Sequence, residues 1–501
     1  MHLSVVNIIW NRWSPPANLS STSIVYSPFL YFLMPPQLSS RIQTIQNVRM
    51  ASHGTSSVCD ITAEYTSDCP RGVIRTISPY SNSSNSSQSL PPLALPSLTH
   101  PHIHLDKAFV YSAPQYAHLL PSTGSFSEAL SFTAHAKAQF THADVLQRGS
   151  WLLAESVAAG VTAMRAFVEV DHTVNLTCIA VGVTLKHEWQ SACQIQLVCF
   201  AQDPVCSGEF GAANRHCIEE ALREYSDDIA VLGTTPYVEA TVDAAKENIE
   251  WAVARARELD KHLDFHLDYH LDPDRAPLIW HVLDTLRASD WTTRNTDKRV
   301  MLGHCTRLTL FSDAEWRQLA AVIREHDLPV SFVGMPTSDL YMAAAPTGLA
   351  CRGTLSVPKL IREYGLDAVM GVNNVGNAFT PWGPADPLAL ACLGVGIYQA
   401  GTQGDAQLLY ECVSTRARAA IGLASRDDSG LDLKVGSPAD LLILHDVDDT
   451  GCGLSRPRKS VAEVVWDPPA KVCRDVICGG QRRISSTSLC PSTMYKYHDA
   501  I

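Results

Sequence analysis

Residues 101–107 read Pro-His-Ile-His-Leu-Asp-Lys and come shortly after the apolar run Leu93–Leu98. In an extended segment, side chains two residues apart lie on the same side of the backbone. His102 and His104 can therefore reach one metal ion from the end of a buried strand. One such pair is weak support in a chain with 19 histidines. It gains weight because His266 and His304 also end strand-like runs.

Apolar, largely β-branched runs recur eight times between residues 93 and 372, and helix-like stretches such as Ala212–Tyr225 and Val242–Leu259 separate most of them. Near-continuous apolar strands that alternate with helices are typical of a parallel sheet covered on both faces. Eight units over roughly 300 residues indicate a (β/α)8 barrel of the TIM type. The predicted strands are Leu93–Leu98, Gly160–Val170, Ile195–Phe200, Ile229–Leu232, Leu263–His266, Val300–His304, Leu328–Val333 and Ala368–Val372.

Short strand-like segments lie on both sides of this region, and after it they include Val435–Leu444, Val461–Trp466 and Val476–Gly480. Strands before and after a barrel can combine, so the sequence predicts an α/β protein with a small β-sandwich domain built from both segments. The predicted division is a poorly ordered N-terminal extension (1–40), the first segment of the β-sandwich (41–92), the barrel (93–424), the second segment of the β-sandwich (425–485) and a C-terminal tail (486–501).

Composition narrows the class of function. The net charge is -12 and no basic block occurs, which argues against nucleic-acid binding and favours a small-molecule substrate. No run reaches the ~18 apolar residues of a membrane span. The 15 cysteines include no C-x-x-C pair, which argues against a structural zinc ribbon and fits a cytoplasmic protein. The oligomeric state stays open, a homo-oligomer included.

Polar residues near the predicted strand ends form one set, because the active site of such a barrel lies at the carboxyl ends of its strands. Three neutral imidazoles and an oxygen ligand suit Zn²⁺ or Fe²⁺ with one position left for water. A metal of this kind makes hydroxide available near neutral pH. We expect one divalent ion, with Asn373 as the oxygen ligand and Arg165 and Asn374 as substrate-binding residues.

The order of these motifs resembles the amidohydrolase superfamily, and the closest likeness is to cytosine deaminase and its relatives. The likeness spans about residues 42–484, and the segment Gly371–Gly383 (GVNNVGNAFTPWG) resembles fungal sequences. The resemblance implies that His102, His104 and His266 bind the metal. It also implies that Gln202 hydrogen-bonds a pyrimidine edge. The remaining matching segments are Pro101–Lys107, Thr141–Arg165, Phe200–Gln202, His266–Asp268 and His304, the last of which resembles the histidine that holds the attacking water.

Two positions depart from the deaminase pattern. Tyr269 stands where a proton-shuttling glutamate is expected, and Asn373 replaces the aspartate that ligates the metal and takes a proton from water. An amide carbonyl can ligate a metal but cannot act as a general base. A tyrosine with a pKa near ~10 is a poor base at neutral pH, although it can donate a proton. Asp268, His270 and Asp272 follow and could replace the missing group.

These observations support three hypotheses. The leading one is a metal-dependent hydrolase of a C–N bond, by deamination or ring opening, in a cyclic amide, amidine or heterocycle. In that reaction His304 stabilises the oxyanion, and Tyr269 or Asp268 protonates the leaving nitrogen. The second is a metal-dependent tailoring enzyme of secondary metabolism that opens, closes or decarboxylates a ring without hydrolysis. The third is a catalytically silent binding protein. We expect Asp106 and Lys107 to form a buried pair that shapes the first loop.

Overall fold

The computed structural model describes residues 40–41, 44–51, 58–64, 72–80, 90–343, 353–426, 430–445, 456, 458–479 and 481–484. Five strands precede the barrel: β1 (Ser40–Arg41), β2 (Thr44–Met50), β3 (Val58–Glu64), β4 (Val73–Pro79) and β5 (Leu93–Pro96). Nearly all of the predicted N-terminal extension, the Ser-rich stretch 81–89 and the predicted C-terminal tail lie outside the described residues.

Eight parallel strands then form the barrel: β6 (Leu98–His104), β7 (Val161–Glu169), β8 (Gln194–Ala201), β9 (Ile229–Thr234), β10 (His262–Leu267), β11 (Val300–His304), β12 (Val330–Gly334) and β13 (Ala368–Met370). Each pairs in parallel with the next in chain order. Almost every residue in them is buried, as expected for a sheet covered on both faces. The predicted (β/α)8 barrel is confirmed.

Backbone hydrogen bonds outside the strand ladders close the barrel between β6 and β13. At the carboxyl end, the Asn373 N–H donates to the His102 carbonyl at 3.1 Å and the His104 N–H donates to the Asn373 carbonyl at 2.8 Å. Further down, residues 412–413 lie between the two strands, because the Thr99 N–H donates to the Val413 carbonyl at 2.8 Å and the Met370 N–H donates to the Cys412 carbonyl at 3.1 Å. The closure therefore places Asn373 against the two histidines of β6.

Helices cover the outside of the barrel and its mouth. Their bounds are α1 (Phe126–Lys137), α2 (His142–Ala159), α3 (Thr177–Trp189), α4 (Gly211–Glu224), α5 (Val242–Glu258), α6 (Ile279–Ala288), α7 (Asp313–Glu325), α8 (Pro336–Met342), α9 (Val357–Tyr364), α10 (Pro387–Ile397), α11 (Gln403–Glu411), α12 (Thr415–Ala420) and α13 (Val461–Trp466). Local chemistry sets several helix starts. A capping box between Ser312 and Glu315, for example, begins α7. None of the helices in the described parts of the chain is both long and apolar enough to cross a membrane.

Strands from before and after the barrel share one antiparallel-rich sheet, as the sequence predicts for the small β domain. Its later members are β14 (Leu441–Leu444), β15 (Arg474–Cys478) and β16 (Gln481–Ile484). The strand order is β1-β16-β15-β14-β5-β2-β3-β4. The two segments are thus joined at two pairs, β1–β16 and β14–β5, and in the second pair Leu442 lies opposite Leu95.

Two element predictions are wrong. The run Leu93–Leu98 is not the first barrel strand, because the chain changes sheets at Ser97. The Ser97 N–H donates to Asp440 of the small sheet at 3.1 Å, whereas the Leu98 N–H donates to Gly160 at the barrel at 2.9 Å. The predicted strand Val461–Trp466 is helix α13, which begins where the Ser460 hydroxyl accepts from the Glu463 N–H at 3.3 Å.

Candidate metal centre

The first two histidines of the site stand at the end of β6. His102 and His104 are two residues apart in an extended strand, and they are 0% and 2% exposed. Their rings lie 5.4 Å apart between centroids and nearly at right angles, at 68°. The alternation of the strand thus aims both imidazoles into the barrel mouth, as the sequence predicts.

His266, near the end of β10, completes a cluster of three imidazoles. The candidate ligand nitrogens of His102, His104 and His266 all lie within 4.8 Å of one another. The Nε2 atoms of His104 and His266 are 3.2 Å apart. No other group of three or more His, Cys, Asp or Glu side chains with this spacing occurs in the described ranges.

The nitrogen atoms of this cluster fit a divalent cation. Within the described residues, Nδ1 and Nε2 of His102, Nδ1 of His104 and Nδ1 of His266 are buried without a hydrogen-bond partner. Burial, with the nearby charges of Lys107 and the neighbouring histidines, holds the pKa of all three imidazoles well below the ordinary value. Neutral imidazoles with free lone pairs are the form that binds a metal. The donor set suits Zn²⁺ or Fe²⁺.

Asn373 offers a fourth, neutral oxygen. Its backbone adopts a φ of 67°, in the left-handed region, as it closes the barrel. Its Nδ2 donates to the Ser338 hydroxyl at 2.8 Å, while the buried Oδ1 has no partner among the described residues. An orphaned buried amide oxygen is costly unless a cation or donor meets it. This geometry supports the prediction that Asn373 ligates through Oδ1.

His304 ends β11 beside the cluster, with its ring 5.1 Å from that of His266. Its Nδ1 lies 2.8 Å from Oδ1 of Asp339, a residue of α8 that is fully buried. Asp339 is not among the residues predicted from the sequence. It lies 35 residues beyond His304 and outside every strand end, so only the packing of α8 brings it to the site.

Tyr269 is present at the site but is not placed as a base. Its ring stacks on that of His304 at 3.8 Å and 19°, and its hydroxyl donates to the Ser338 carbonyl at 3.3 Å. Burial raises the pKa of Tyr269 well above its ordinary value, with a smaller contribution from Asp339. The phenol therefore stays protonated at neutral pH.

The carboxylate of Asp268 is bound to the backbone of its own loop. It accepts the N–H groups of Leu278 and Ile279, at 2.8 and 3.1 Å, and so fixes the start of α6. Burial raises the pKa of Asp268 to about 6. These contacts give Asp268 a structural role, and none of them supports the predicted proton transfer to substrate.

The predicted substrate-binding residues lie in different surroundings. Arg165 is fully buried inside the barrel, where it pairs with Asp264 at 3.0 Å and donates to Gln196 at 2.7 Å. Asp264 in turn lies 3.9 Å from His102. Arg165 is therefore linked to the metal cluster through Asp264. These contacts lie inside the barrel and not at its mouth.

Gln202 and Asn374 are held by neighbours at the mouth. The Gln202 Oε1 accepts from Lys107 Nζ at 3.2 Å, and the Asn374 Oδ1 accepts from Asn377 at 2.8 Å. Their carbonyl oxygens are thus used by the protein. The Gln202 amide also hydrogen-bonds Tyr237, but an amide NH₂ has two hydrogens, so each side chain keeps at least one N–H for a ligand.

A buried charge network surrounds Lys107, and Lys107 pairs with a residue other than the expected Asp106. Lys107 Nζ binds Glu169 at 2.6 Å, and the other oxygen of Glu169 binds Lys137 at 2.6 Å. Asp106 accepts the Glu169 N–H at 2.7 Å instead of pairing with Lys107. Lys137 also pairs with Asp171. The first loop is therefore shaped by Glu169, which the sequence pattern does not single out.

Aromatic side chains cover Tyr269 on the side of α1. Phe126 meets the Tyr269 ring edge-on at 5.7 Å, and Phe379 lies 6.1 Å from Phe126. Met342 and Ala378 pack in the same apolar cluster. This cover excludes water from the side of the site that Tyr269 faces.

Comparison with known proteins confirms the fold. No protein-family model matches the chain, and no curated protein matches it in sequence. Solved structures match over most of their length. A 5-methylcytosine deaminase from Klebsiella pneumoniae bound to 5-fluorocytosine is 19% identical, covers 88% of this chain and 97% of its own, and has a TM-score of 0.72.

Two further structures give the same result. An N-isopropylammelide isopropylaminohydrolase from Burkholderia multivorans is 21% identical over 88% of this chain and 98% of its own, with a TM-score of 0.66. A zinc-bound adenosine deaminase from Xanthomonas campestris is 15% identical over 91% and 97%, with a TM-score of 0.59. The chain therefore has the fold of the amidohydrolases, a barrel with a small sheet domain, as the sequence resemblance implies.

Proposed function

We propose that this protein is a metal-dependent hydrolase that cleaves a C–N bond of a cyclic amide, amidine or heterocycle. The observation that carries the proposal is the cluster of His102, His104 and His266, three buried imidazoles with unpartnered nitrogens at the carboxyl ends of barrel strands. Folding alone gives no reason to bury such nitrogens without partners.

One divalent ion, Zn²⁺ or Fe²⁺, would be held by these histidines and Asn373. When bound, a metal of this kind supplies Lewis acidity and a hydroxide at neutral pH. The similar structures include deaminases and an aminohydrolase, which supports hydrolysis at a C–N bond.

The residues around the ion divide the remaining work. His304, held by Asp339, places its other ring nitrogen, Nε2, where it can hold or move a proton. Tyr269 fixes the plane of the His304 ring by stacking and keeps water out with Phe126. Gln202 and Asn374 present amide N–H groups, which bind carbonyl oxygens of a substrate.

A second candidate function is a non-hydrolytic ring opening, cyclisation or decarboxylation with the same metal. It is favoured by one observation about the two residues expected to protonate a leaving nitrogen. The Asp268 carboxylate accepts a backbone N–H group, and the Tyr269 hydroxyl donates to a backbone carbonyl. The reaction products separate the two candidates, because only hydrolysis of an amino-substituted ring releases ammonia.

The test begins with metal content. We expect about one metal ion per chain in the purified protein, and less than about 0.2 in the His266→Asn variant, because three-histidine sites need every ligand. His187→Asn is the matched control, since His187 lies exposed near the end of α3, pairs with Asp228 at 2.9 Å and is outside the cluster. Equal metal content in the two variants would contradict the proposed site.

Activity is tested next with a panel of cyclic amides and aminoheterocycles. Ammonia release, or ring opening with addition of water to the product, by the zinc- or iron-loaded protein is the expected result. This activity should be lost in His266→Asn and kept in His187→Asn. Turnover without addition of water to the product would favour the second candidate. A metal-loaded protein without turnover of either kind would contradict both.

A further inference from the structure

Both oxygens of the Asp339 carboxylate are held by polar contacts. Oδ1 meets His304 Nδ1 at 2.8 Å, and Oδ2 accepts the Met335 N–H at 3.0 Å and the Thr354 hydroxyl at 2.8 Å. Asp339 is fully buried and His304 is 2% exposed. A buried carboxylate with three donors has one orientation available to it.

This arrangement determines which nitrogen of His304 bears hydrogen. An ionised carboxylate only accepts hydrogen bonds, so the close partner Nδ1 must carry the N–H. In the described residues Nε2 of His304 makes no hydrogen bond, so in the neutral ring its lone pair is open to a partner. Carboxylate–histidine pairs set the tautomer in this way in many metal and hydrolase sites.

The orientation of the ring is fixed as well as its tautomer. Tyr269 stacks on one face at 3.8 Å, and its hydroxyl is anchored to Ser338, the residue next to Asp339. The His304 backbone itself is held at a φ of 65°, in the left-handed region. Backbone strain of this kind persists where surrounding contacts over-determine a functional side chain.

The neighbouring carboxylates are committed elsewhere. Asp268 binds the backbone at the start of α6, and Asp264 pairs with Arg165. Asn373 and Tyr269, at the other two positions, are an amide and a phenol. Asp264 also lies two residues before His266 in β10, deeper in the barrel, and is fully buried. At the mouth, His304 is thus left as the group beside the metal cluster that can accept a proton.

We propose that Asp339 is the positioning residue that holds His304 with hydrogen on Nδ1 and so makes His304 Nε2 the proton acceptor of the site. This inference rests on the proposed function for its role in turnover, whereas the tautomer itself is independent of any substrate. The pair takes over the proton handling that the carboxylates replaced by Tyr269 and Asn373 would otherwise perform.

The deciding variant is Asp339→Asn. Met335 N–H and the Thr354 hydroxyl will keep the amide oxygen on their side, so the amide NH₂ will face His304 Nδ1. Nδ1 must then accept, and the hydrogen moves to Nε2. In Ser-His-Asp triads the same change leaves the geometry intact but reverses the tautomer. Asp367→Asn is the matched control, because Asp367 lies just before β13, at the opposite end of the barrel, and binds Ser331 and Arg426.

The tautomer is read by long-range ¹H–¹⁵N correlation on zinc-loaded full-length protein with ¹⁵N-histidine, and His304→Gln identifies the signals. We expect Nδ1–H in the parent and in Asp367→Asn, and Nε2–H in Asp339→Asn. A parent with Nε2–H, or an Asp339→Asn protein that keeps Nδ1–H, overturns the proposal. The parent spectrum decides the first point even if Asp339→Asn does not fold.

Kinetics with a substrate from the panel give the second readout. Asp339→Asn with full zinc content should lose about 10²- to 10⁴-fold in kcat with KM within about threefold. A folded, zinc-loaded Asp339→Asn protein with kcat within threefold of the parent also overturns the proposal. Absence of turnover in the parent counts against the proposed function alone, since the spectrum is recorded without substrate.

Discussion

At the scale of residues, the proposed metal ligands carry no charge. His102, His104, His266 and Asn373 are neutral donors, so a bound divalent ion keeps both of its positive charges. A single negative charge about 4 Å away is worth roughly 4 kcal/mol at an effective dielectric of 20. An amide at position 373, in place of a carboxylate, would therefore weaken the binding of the metal ion. It would also strengthen the attraction of the ion for hydroxide or for an anionic substrate oxygen.

Asn373→Asp tests that argument. We expect zinc to bind at least about tenfold more tightly, because the new carboxylate adds Coulomb attraction at a buried site. The measurement is competition with a chromophoric chelator. Asn295→Asp adds the same charge at an exposed position and should leave the zinc affinity unchanged. Equal affinities in the parent and Asn373→Asp would show that residue 373 does not ligate.

The sequence predicts the three histidines because each ends, or nearly ends, an apolar strand, and strand ends of a barrel converge. It does not predict the partners that hold the site. Asp339 is placed by α8, the short helix that follows β12, and Asp268 is turned away by backbone donors ten residues further on. Contacts of this kind depend on loop paths, which leave no periodic pattern in the sequence.

At the scale of elements, the barrel and the small sheet meet at Gly160. This residue ends α2 with a φ of 113° and leads directly into β7. A Cβ built there would lie 3.0 Å from Cδ1 of Leu442, in β14 of the small sheet. Both the backbone angle and the close approach require glycine.

Gly160→Ala should lower the stability by about 1–3 kcal/mol, because it adds left-handed strain and crowds Leu442. The fall in the thermal midpoint measures it. Gly401→Ala serves as control, since a Cβ there meets nothing within 4 Å. Equal midpoints for the two variants would contradict the assigned strain.

The strand periodicity predicts most elements to within one or two residues, as at Val300–His304, which matches β11. It fails where one apolar run serves two sheets, as at Leu93–Leu98, because hydrophobicity does not record which sheet a strand joins. It also fails at α13, whose six residues are too short to separate helical from strand spacing. The sequence feature that indicates a helix there is Ser460 followed by Glu463, which are the N-cap and the third helical residue of α13.

At the scale of the whole molecule, buried titratable groups link stability to pH. Among the described residues, six histidines have lowered pKa values: His100, His102, His104, His262, His266 and His270. Four carboxyls have raised pKa values, chiefly through burial: Asp106, Asp203, Asp264 and Asp268. Below pH ~6.5 the unfolded chain protonates the histidines while the folded chain does not, so their contribution to stability is lost as pH falls. The four carboxyls act in the opposite direction.

The six histidines outnumber the four carboxyls, so between pH 6.5 and 5 the unfolded chain binds more protons than the folded chain and stability falls with pH. We therefore expect the thermal midpoint of chelator-treated protein to fall over this range. His100→Asn removes one of the six groups and should make the dependence less steep. A midpoint that is constant or rises towards pH 5 would contradict this balance.

The two structural units are also coupled by one buried cation. Arg474, at the start of β15, donates to the Ala159 carbonyl of α2 at 2.8 Å and pairs with Asp386, the N-cap of α10, at 2.9 Å. Its side chain is 2% exposed, so Arg474→Met leaves a buried carboxylate without its partner and should cost about 3–5 kcal/mol. Calorimetry should then show the small sheet unfolding before the barrel, where the parent unfolds in one transition.

Arg75→Met is the control, because the pairing of Arg75 with Glu64 is exposed and worth at most about 1 kcal/mol. A single, unshifted transition in Arg474→Met would mean that the remaining contacts, among them the apolar contact between the sheets and the Arg418–Asp440 pair at 3.1 Å, couple the two units without this ion pair.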